Sequence, residues 1–261
     1  MEFEHKIHPT ALIHDKSKLH STVKVGAHSV IGEGVTIDEN SEVGNFVTLS
    51  GNTDIGKNNK IYHYCSLGEI PQDKKFTNEK TFLKIGNNNT IREFCTFNTG
   101  TLGGGGVTEI GSNNWLMAYV HIAHDCKLGN EIVLANNSSL AGHVEIDDFA
   151  TLGGFTLVHQ FCKIGKHVIT AVGTVTFKDI PPYVMAAGYN AKPNGINIEG
   201  LKRREFSTKC ISNIKKGYKA IYREGNTLEE AKKTLSNLAK NSNEIDLYID
   251  FINKSNRGLI R

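Results

Sequence analysis

A six-residue period runs through most of this 261-residue chain and constrains its fold more than any other feature. Every sixth residue is aliphatic at eleven consecutive positions between residues 7 and 67, and again at ten positions between residues 110 and 164. Many of these residues are followed by a small one, as in Ile31-Gly32. An α-helix repeats every 3.6 residues and an ordinary strand every two, so neither structure produces this pattern.

A period of six indicates short strands that turn a corner every six residues, with the aliphatic side chain inside and a small residue at the bend. Three such sides close one coil of 18 residues, and stacked coils lie about 4.8 Å apart through parallel hydrogen bonds. The sequence therefore predicts a mainly β domain, a parallel β-helix, over residues 1–190. Cys126, Val144 and Cys162 are 18 residues apart, so we expect one column of core residues and no disulfide.

Two segments break the period and are predicted to leave the coil. The first, near residues 69–84, is charged, and the second, near 103–107, begins with four glycines. After the repeat fades, residues 191–261 are predicted to form a small α-helical domain. Ser207 is a candidate cap for its first helix, and Thr227 with Glu230 forms a capping box for the next. Apolar residues at helical spacing between 245 and 252 predict a third.

Composition excludes several classes of protein. The net charge of +3 is too small to indicate a nucleic-acid partner. Residues 1–6 carry two glutamates and no apolar segment, so no signal peptide is expected. No apolar run reaches the roughly 18 residues of a membrane span. The five cysteines are odd in number and form no CxxC pair, which favours a reducing, cytoplasmic location.

The period also places the histidines, because residues 18 apart lie on one line of neighbouring coils. One such line holds His124, Gly142 and Gln160, the adjacent line holds Asp125 and His143, and His121 and His159 lie in the same coils. A neutral imidazole can take a proton from an alcohol, a carboxylate can orient it, and a glycine N–H can approach an oxyanion. No serine or cysteine lies on the first line, which favours direct group transfer over a covalent intermediate.

Several stretches of this ridge and of the C-terminal part resemble the UDP-N-acetylglucosamine acyltransferases of lipid A biosynthesis. They include His-Ile-Ala-His-Asp-Cys at 121–126, Leu-Ala-Gly-His-Val at 140–144, Val-His-Gln-Phe-Cys at 158–162 and Asn-Ile-Glu-Gly-Leu-Lys-Arg-Arg at 197–204. The resemblance covers essentially the whole chain. It implies a left-handed β-helix, a homotrimer with active sites between neighbouring β-helices, and no cofactor and no metal. The implied reaction moves a 3-hydroxyacyl chain from acyl carrier protein to UDP-N-acetylglucosamine.

The resemblance also implies roles for individual residues. His124 would be the general base for the glucosamine 3-hydroxyl, Asp125 would support it, and the Gly142 N–H would stabilise the oxyanion. The implied substrate-binding residues are Gln72, Asp73 and Lys75 on the first loop, His121, His143, His159 and Gln160 around the cleft, and Asn197, Glu199, Arg203 and Arg204 at the uridine diphosphate end. The carrier protein, acidic as a class, would dock on basic residues near the C-terminal helices.

Two positions depart from the family pattern. Residues 96–101, Thr-Phe-Asn-Thr-Gly-Thr, replace the His-Arg or Asn-Arg pair that many members carry before the Gly-Thr, so a basic contact is missing there. Val172 stands at a position of the acyl channel that is often glycine. We predict that its extra bulk shortens the accepted acyl chain.

The sequence is also compatible with other functions. A γ-type carbonic anhydrase uses the same kind of helix and binds zinc through three histidines on adjacent chains, and His121, His124 and His143 are spaced for one cleft. Sugar or serine acetyltransferases that use coenzyme A share the repeat. A structural, ice-binding β-helix would need flat rows of threonine, and the rows here are mixed. The N-acyltransferase of the same pathway has an extra N-terminal domain, for which no room is expected before Ile7. The sequence does not distinguish an acceptor sugar with a 3-hydroxyl group from one with a 3-amino group.

Overall fold

The computed structural model describes residues 6–261, so most of the segment on which the signal-peptide prediction rests lies outside the described residues. Within them the chain forms three parallel sheets wound around one core. Sheet 1 contains β1 (Leu12–Ile13), β4 (Val30–Ile31), β7 (Thr48–Leu49), β10 (Ser66–Glu69), β13 (Thr96–Asn98), β16 (His121–Ile122), β19 (Ser139–Leu140), β22 (Leu157–Val158) and β25 (Val175–Thr176).

The other two sheets complete the triangular coil. Sheet 2 contains β2 (Lys18–Leu19), β5 (Thr36–Ile37), β8 (Asn52–Ile55), β11 (Phe82–Ile85), β14 (Val107–Ile110), β17 (Lys127–Leu128), β20 (Glu145–Ile146) and β23 (Lys163–Ile164). Sheet 3 contains β3 (Lys24–Val25), β6 (Glu42–Val43), β9 (Lys60–Ile61), β12 (Thr90–Ile91), β15 (Trp115–Leu116), β18 (Val133–Leu134), β21 (Thr151–Leu152), β24 (Ile169–Thr170), β26 (Val184–Ala187) and β27 (Lys192–Ile196).

The chain visits sheets 1, 2 and 3 in turn, and we name the bends between them corner 1–2, corner 2–3 and corner 3–1. Along most of the helix each strand pairs in parallel with the strand three later, which places Ile122 opposite Leu140. One residue of most corners has a positive φ, for example Asp125 and His143, both at 61°. Because this conformation recurs at the same place in successive coils, the outward side chains of a corner stack in columns.

The aliphatic side chains of the six-residue period point inward. All its positions from Val25 to Ile164 are buried, and Cys126, Val144 and Cys162 are buried in one column. The cysteines are free thiols, so the prediction of core residues without a disulfide is confirmed. Ile7 and Ile13 are 40% and 37% exposed, because no coil lies beneath them among residues 6–261.

The chain leaves the coil at the two interruptions of the period. The first excursion runs between β10 and β11, so Glu69 and residues 82–84 of the predicted loop are strand instead. The second contains a 3₁₀-helix at Leu102–Gly104 and ends before Val107, which begins β14. This excursion lengthens its coil, so that Thr96 pairs with His121, 25 residues later.

Helices follow the last strand: α1 (Ile198–Arg203), α2 (Thr208–Tyr222), α3 (Leu228–Ala239), a 3₁₀-helix (Asn243–Ile245) and α4 (Asp246–Lys254). Ser207 caps α2 and the Thr227–Glu230 capping box opens α3, both as predicted. The short α1 has no counterpart among the predicted helices. The proposed domain boundary at 190/191 falls in the turn between β26 and β27, which pair antiparallel. Among the described residues, no helix has the length and hydrophobicity required to cross a bilayer.

Candidate active site

Corner 1–2 carries the ridge that the period predicts. The His143 N–H donates to the His124 carbonyl at 3.0 Å, and the Phe161 N–H donates to the Gly142 carbonyl at 3.1 Å. The His143 ring stacks on Phe161 with their centroids 4.4 Å apart. Successive coils are therefore in the predicted register, and His124, Gly142 and Gln160 occupy one line.

His124 and Asp125 form the central pair of this ridge. The Nδ1 atom of His124 lies 2.8 Å from Oδ2 of Asp125, and the Asp125 side chain is only 1% exposed. Among residues 6–261 no partner contacts the His124 Nε2 atom by a hydrogen bond. Nδ1–H can therefore donate to the carboxylate, which leaves the Nε2 lone pair available to a substrate proton.

Asp125 is held as an anion inside the corner. Burial alone would raise its pKa, but hydrogen bonds from His124 and from both the hydroxyl and the backbone of Thr101 together keep that pKa below its usual value, helped by nearby His143. The Thr101 N–H donates to Oδ1 at 2.8 Å, and the Thr101 hydroxyl donates to Oδ2 at 2.7 Å.

The neighbouring histidines are biased toward their neutral forms. Burial lowers the pKa of His143, and attraction to Asp125 and Asp73 opposes this only in part. Asp73, from the first excursion, is thus close enough to the ridge to act on His143. Burial also lowers the pKa of His121, whose Nδ1 atom lies 2.8 Å from the Thr96 hydroxyl.

Gly142 lies directly against the edge of the His124 ring. A Cβ atom at Gly142 would lie 2.5 Å from Cε1 and 2.7 Å from Nε2 of His124, closer than atoms can approach. The Gly142 N–H donates to no acceptor within the described part of the chain. The absence of a side chain thus brings a free backbone donor beside the reactive edge of the imidazole.

The other residues predicted for this part of the site are more exposed or make fewer contacts. The Nδ1 atom of His159 accepts a hydrogen bond from the Arg257 guanidinium at 3.2 Å, and Gln160 is exposed. In the first excursion Gln72 and Lys75 are exposed, while the carboxylate of Asp73 accepts a hydrogen bond from the Lys75 N–H at 3.0 Å. A cleft of about 470 Å³ opens beside the ridge and is lined by Asp125, Lys127, His143, Phe161, Lys163 and Arg257 among others.

The residues predicted for the uridine diphosphate end lie at a different corner, corner 2–3. The Asn197 side chain caps α1 by accepting from the Gly200 N–H, and it donates to the His167 carbonyl, both at 3.0 Å. Arg204 lies over the Phe149 ring, 4.2 Å from its centroid. Arg203 is exposed, and Glu199 is exposed and pairs with Lys202.

Val172 lies at the third corner, corner 3–1, and is 76% exposed. One chain therefore distributes the predicted site over three edges of the β-helix. His124 and its neighbours are at corner 1–2, the arginines are at corner 2–3, and Val172 is at corner 3–1.

Sequence reasoning missed two residues that touch the central pair. Thr101 makes the two hydrogen bonds to Asp125 described above, and Gly104 packs against the same carboxyl group so closely that a Cβ atom would overlap it. The 18-residue arithmetic could not find them, because the second excursion shifts the register. The sequence signal that could have pointed to them was their position in the glycine-rich interruption of the period.

The histidine trio of the zinc alternative is not assembled within this chain. The three side chains of the described residues whose ligand atoms lie within 4.8 Å of one another are His124, Asp125 and His143, without His121. Both Asp125 oxygens already accept hydrogen bonds from Thr101. The arrangement therefore fits an oriented imidazole better than three converging ligands.

Comparison with known proteins identifies the families that this chain matches. Residues 108–142 match the family described as bacterial transferase hexapeptide (six repeats), and residues 179–260 match UDP-N-acetylglucosamine O-acyltransferase, domain 2. An acyl-[acyl-carrier-protein]–UDP-N-acetylglucosamine O-acyltransferase of Thiobacillus denitrificans is 58% identical over 203 residues, which are 78% of this chain and 79% of that protein.

Solved structures show the same fold over nearly the whole chain. The UDP-N-acetylglucosamine acyltransferase of Francisella novicida superposes with a TM-score of 0.96 at 43% identity, covering 98% of this chain and 94% of that one. The enzyme from Campylobacter jejuni gives a TM-score of 0.91 at 37% identity, covering 98% and 99%. The architecture is a left-handed parallel β-helix, as expected.

Fold and ridge together define a hexapeptide-repeat acyltransferase. Within that class, the identity and coverage of its relatives place this chain in the acyl-[acyl-carrier-protein]–UDP-N-acetylglucosamine O-acyltransferase family.

Proposed function

We propose that this chain transfers a 3-hydroxyacyl group from acyl carrier protein to the 3-hydroxyl of the glucosamine ring of UDP-N-acetylglucosamine, the first step of lipid A biosynthesis. The names of its relatives give acyl-[acyl-carrier-protein] as the donor and UDP-N-acetylglucosamine as the acceptor of an O-acyl transfer. The observation that carries the mechanism is the 2.8 Å contact between His124 Nδ1 and Asp125 Oδ2, which directs the free Nε2 atom outward as a base.

The proposed transfer accounts for every proton and every bond that changes. His124 Nε2 takes the proton of the sugar hydroxyl while its oxygen attacks the thioester carbonyl. The carbonyl oxygen becomes an oxyanion, which the Gly142 N–H is placed to stabilise. The carbon–sulfur bond then breaks, and His124 returns the proton to the departing thiolate. The products are an ester on the sugar and the free thiol of the carrier.

The cysteines of the neighbouring core support direct transfer. Burial raises the pKa of Cys126 to about 12 and that of Cys162 to about 11, so neither forms a thiolate at neutral pH. A covalent acyl-cysteine at this corner would need that thiolate as its nucleophile.

A second copy of the chain would complete the site. Corner 1–2 holds the base, while the arginines for the uridine diphosphate and Val172 for the acyl chain lie on the two other edges. We therefore propose a homotrimer in which a corner of one β-helix faces corner 1–2 of its neighbour. Arg203 and Arg204 would bind the diphosphate, with Asn197 and Glu199 beside them. Asp73, Lys75 and Gln72 would reach the sugar, and His121, His143, His159 and Gln160 would line the cleft.

The remaining partner is the carrier protein, for which the exposed face of α2 is a suitable surface. Lys209, Lys215, Lys216 and Lys219 are all exposed there. An acidic carrier protein would be attracted to this face, and raising the salt concentration should weaken the attraction. Both proposed substrates and the free cysteines agree with a cytoplasmic location.

The test is acyl transfer by the purified full chain. UDP-N-acetylglucosamine is mixed with 3-hydroxyacyl carrier proteins of several chain lengths, and the products are read by mass spectrometry. We expect one acyl group on the nucleotide sugar and a solution mass of three chains. Product only with the 3-amino sugar, or only with coenzyme A thioesters, would replace the proposed acceptor or donor. No product with any of them would refute the proposed function.

A further inference from the structure

The second excursion closes onto Asp125 through one residue, Thr101. Its backbone N–H and its hydroxyl donate to different oxygens of the carboxylate, at 2.8 and 2.7 Å. The same hydroxyl oxygen accepts the Gly104 N–H at 3.2 Å, and the Thr101 carbonyl accepts the N–H groups of Gly104 and Gly106. Because an ionised carboxylate can only accept, the hydrogen of the Thr101 hydroxyl is the one directed to Asp125.

The glycine run completes the enclosure of the carboxylate. A Cβ atom at Gly104 would overlap the Asp125 carboxyl group, whereas a Cβ atom at Gly103 would come no closer than 4.0 Å to its nearest neighbour, the Thr101 hydroxyl oxygen. Neither glycine has the positive φ of Gly105 and Gly106. Gly104 is therefore required for the close approach to Asp125, whereas Gly103 has room for a methyl group.

We infer that Thr101 is a positioning residue for the acyl transfer, and that the excursion from Thr101 to Gly106 acts as a clamp on Asp125. This inference rests on the proposed function. With both oxygens held, the carboxylate cannot rotate, so Oδ2 stays aimed at His124 Nδ1. That contact in turn keeps the proton of the imidazole on Nδ1 and leaves Nε2 free to act as the base.

Because charged groups surround Asp125, the effect of the clamp should appear in the pH dependence of the reaction rate. Among residues 6–261, the titratable groups that interact with the carboxylate include His124, His143 and the buried Cys126, and Asp73 acts on His143 from the first excursion. Lys127 lies on the cleft wall, and residues 101–106 contribute no titratable side chain. The Thr101 hydroxyl is one of the hydrogen-bond donors that lower the pKa of Asp125, so removing it should raise that pKa.

The first experiment compares Thr101→Val with Thr101→Ser in the acyl-transfer assay, across pH. Valine keeps the shape and the backbone N–H but loses the hydroxyl, while serine keeps both donors. For Thr101→Val we expect kcat to fall roughly 10- to 100-fold, as for the loss of one hydrogen bond to a charged group. The KM for UDP-N-acetylglucosamine should stay within about threefold, and the acidic limb of kcat/KM should move up by roughly 0.5 to 1 pH unit. Thr101→Ser should recover most of kcat.

A second pair of variants tests the clamp without touching Thr101. Gly104→Ala should reduce kcat by a similar factor, because the added methyl group displaces the Asp125 carboxylate. Gly32→Ala, at the same corner but three coils from the clamp, is the control and should retain the wild-type rate.

The outcomes separate the possible causes. If Thr101→Val keeps kcat within twofold with an unchanged pH profile, Thr101 is a bystander and the inference is wrong. If Thr101→Ser loses as much activity as Thr101→Val and both melt earlier, the role is structural and the inference is equally wrong. A failure of the proposed function is distinct from both, since the wild-type chain would then form no product.

Discussion

Gly142 has no room for a side chain, so replacing it with alanine should disable His124 while leaving the backbone N–H in place. The ideal Cβ atom would lie 2.5 Å from Cε1 and 2.7 Å from Nε2 of the imidazole, and ordinary contact begins at 3.4 Å. The ring must therefore retreat by about 1 Å, the difference between 3.4 and 2.5 Å. A displacement of that size at a reacting group costs about 10²-fold in rate.

The assay is steady-state acyl transfer with the wild-type chain and Gly142→Ala at saturating UDP-N-acetylglucosamine. We expect kcat to fall about 10²-fold while thermal unfolding changes little. Gly32→Ala is the control, because Gly32 lies at the same corner five coils away, where a Cβ atom meets nothing closer than the Leu49 carbonyl at 3.2 Å. It should stay within about threefold of wild type. If Gly142→Ala keeps kcat within threefold as well, the contact between Gly142 and His124 does not position the base.

Three further results are expected. Val172→Gly should move the preferred donor to longer acyl chains in a competition assay read by mass spectrometry, and an unchanged preference would contradict a role for Val172. Asn197→Ala removes the cap of α1 and should lower the free energy of unfolding in urea by about 1 kcal/mol. Burial lowers the pKa of His167 to about 4, so between that value and about 6.5 only the unfolded chain binds the proton. Acidification through this window should therefore lower the free energy of unfolding by up to about 3 kcal/mol. The decrease should be smaller in His167→Phe, and urea unfolding at several pH values measures both.

The coil architecture could be predicted because its cause is periodic. One aliphatic residue in six suffices to place the inner columns, and all of them from Val25 to Ile164 are buried. The same arithmetic placed His124 beside Gly142 and His143, since corners of equal length keep residues 18 apart in line. The roles of these residues did not follow from the arithmetic and came from the family resemblance.

The parts that escaped prediction depend on irregular backbone. The second excursion makes its coil 25 residues long, so the approach of Thr101 to Asp125 is invisible to a fixed period. The capping task of Asn197 and the position of Arg204 over Phe149 depend on how α1 meets corner 2–3. Packing of this kind is set by contacts between distant segments, which no local pattern records.

Replacing His124 tests whether this residue acts as the general base. His124→Ala should lower kcat by about 10² or more while the chain keeps its thermal midpoint and binds UDP-N-acetylglucosamine. His14→Ala is the control, since His14 lies at the same corner about five coils away, roughly 24 Å along the axis. We expect a loss of activity in His124→Ala alone. Transfer by His124→Ala at the wild-type rate would contradict it.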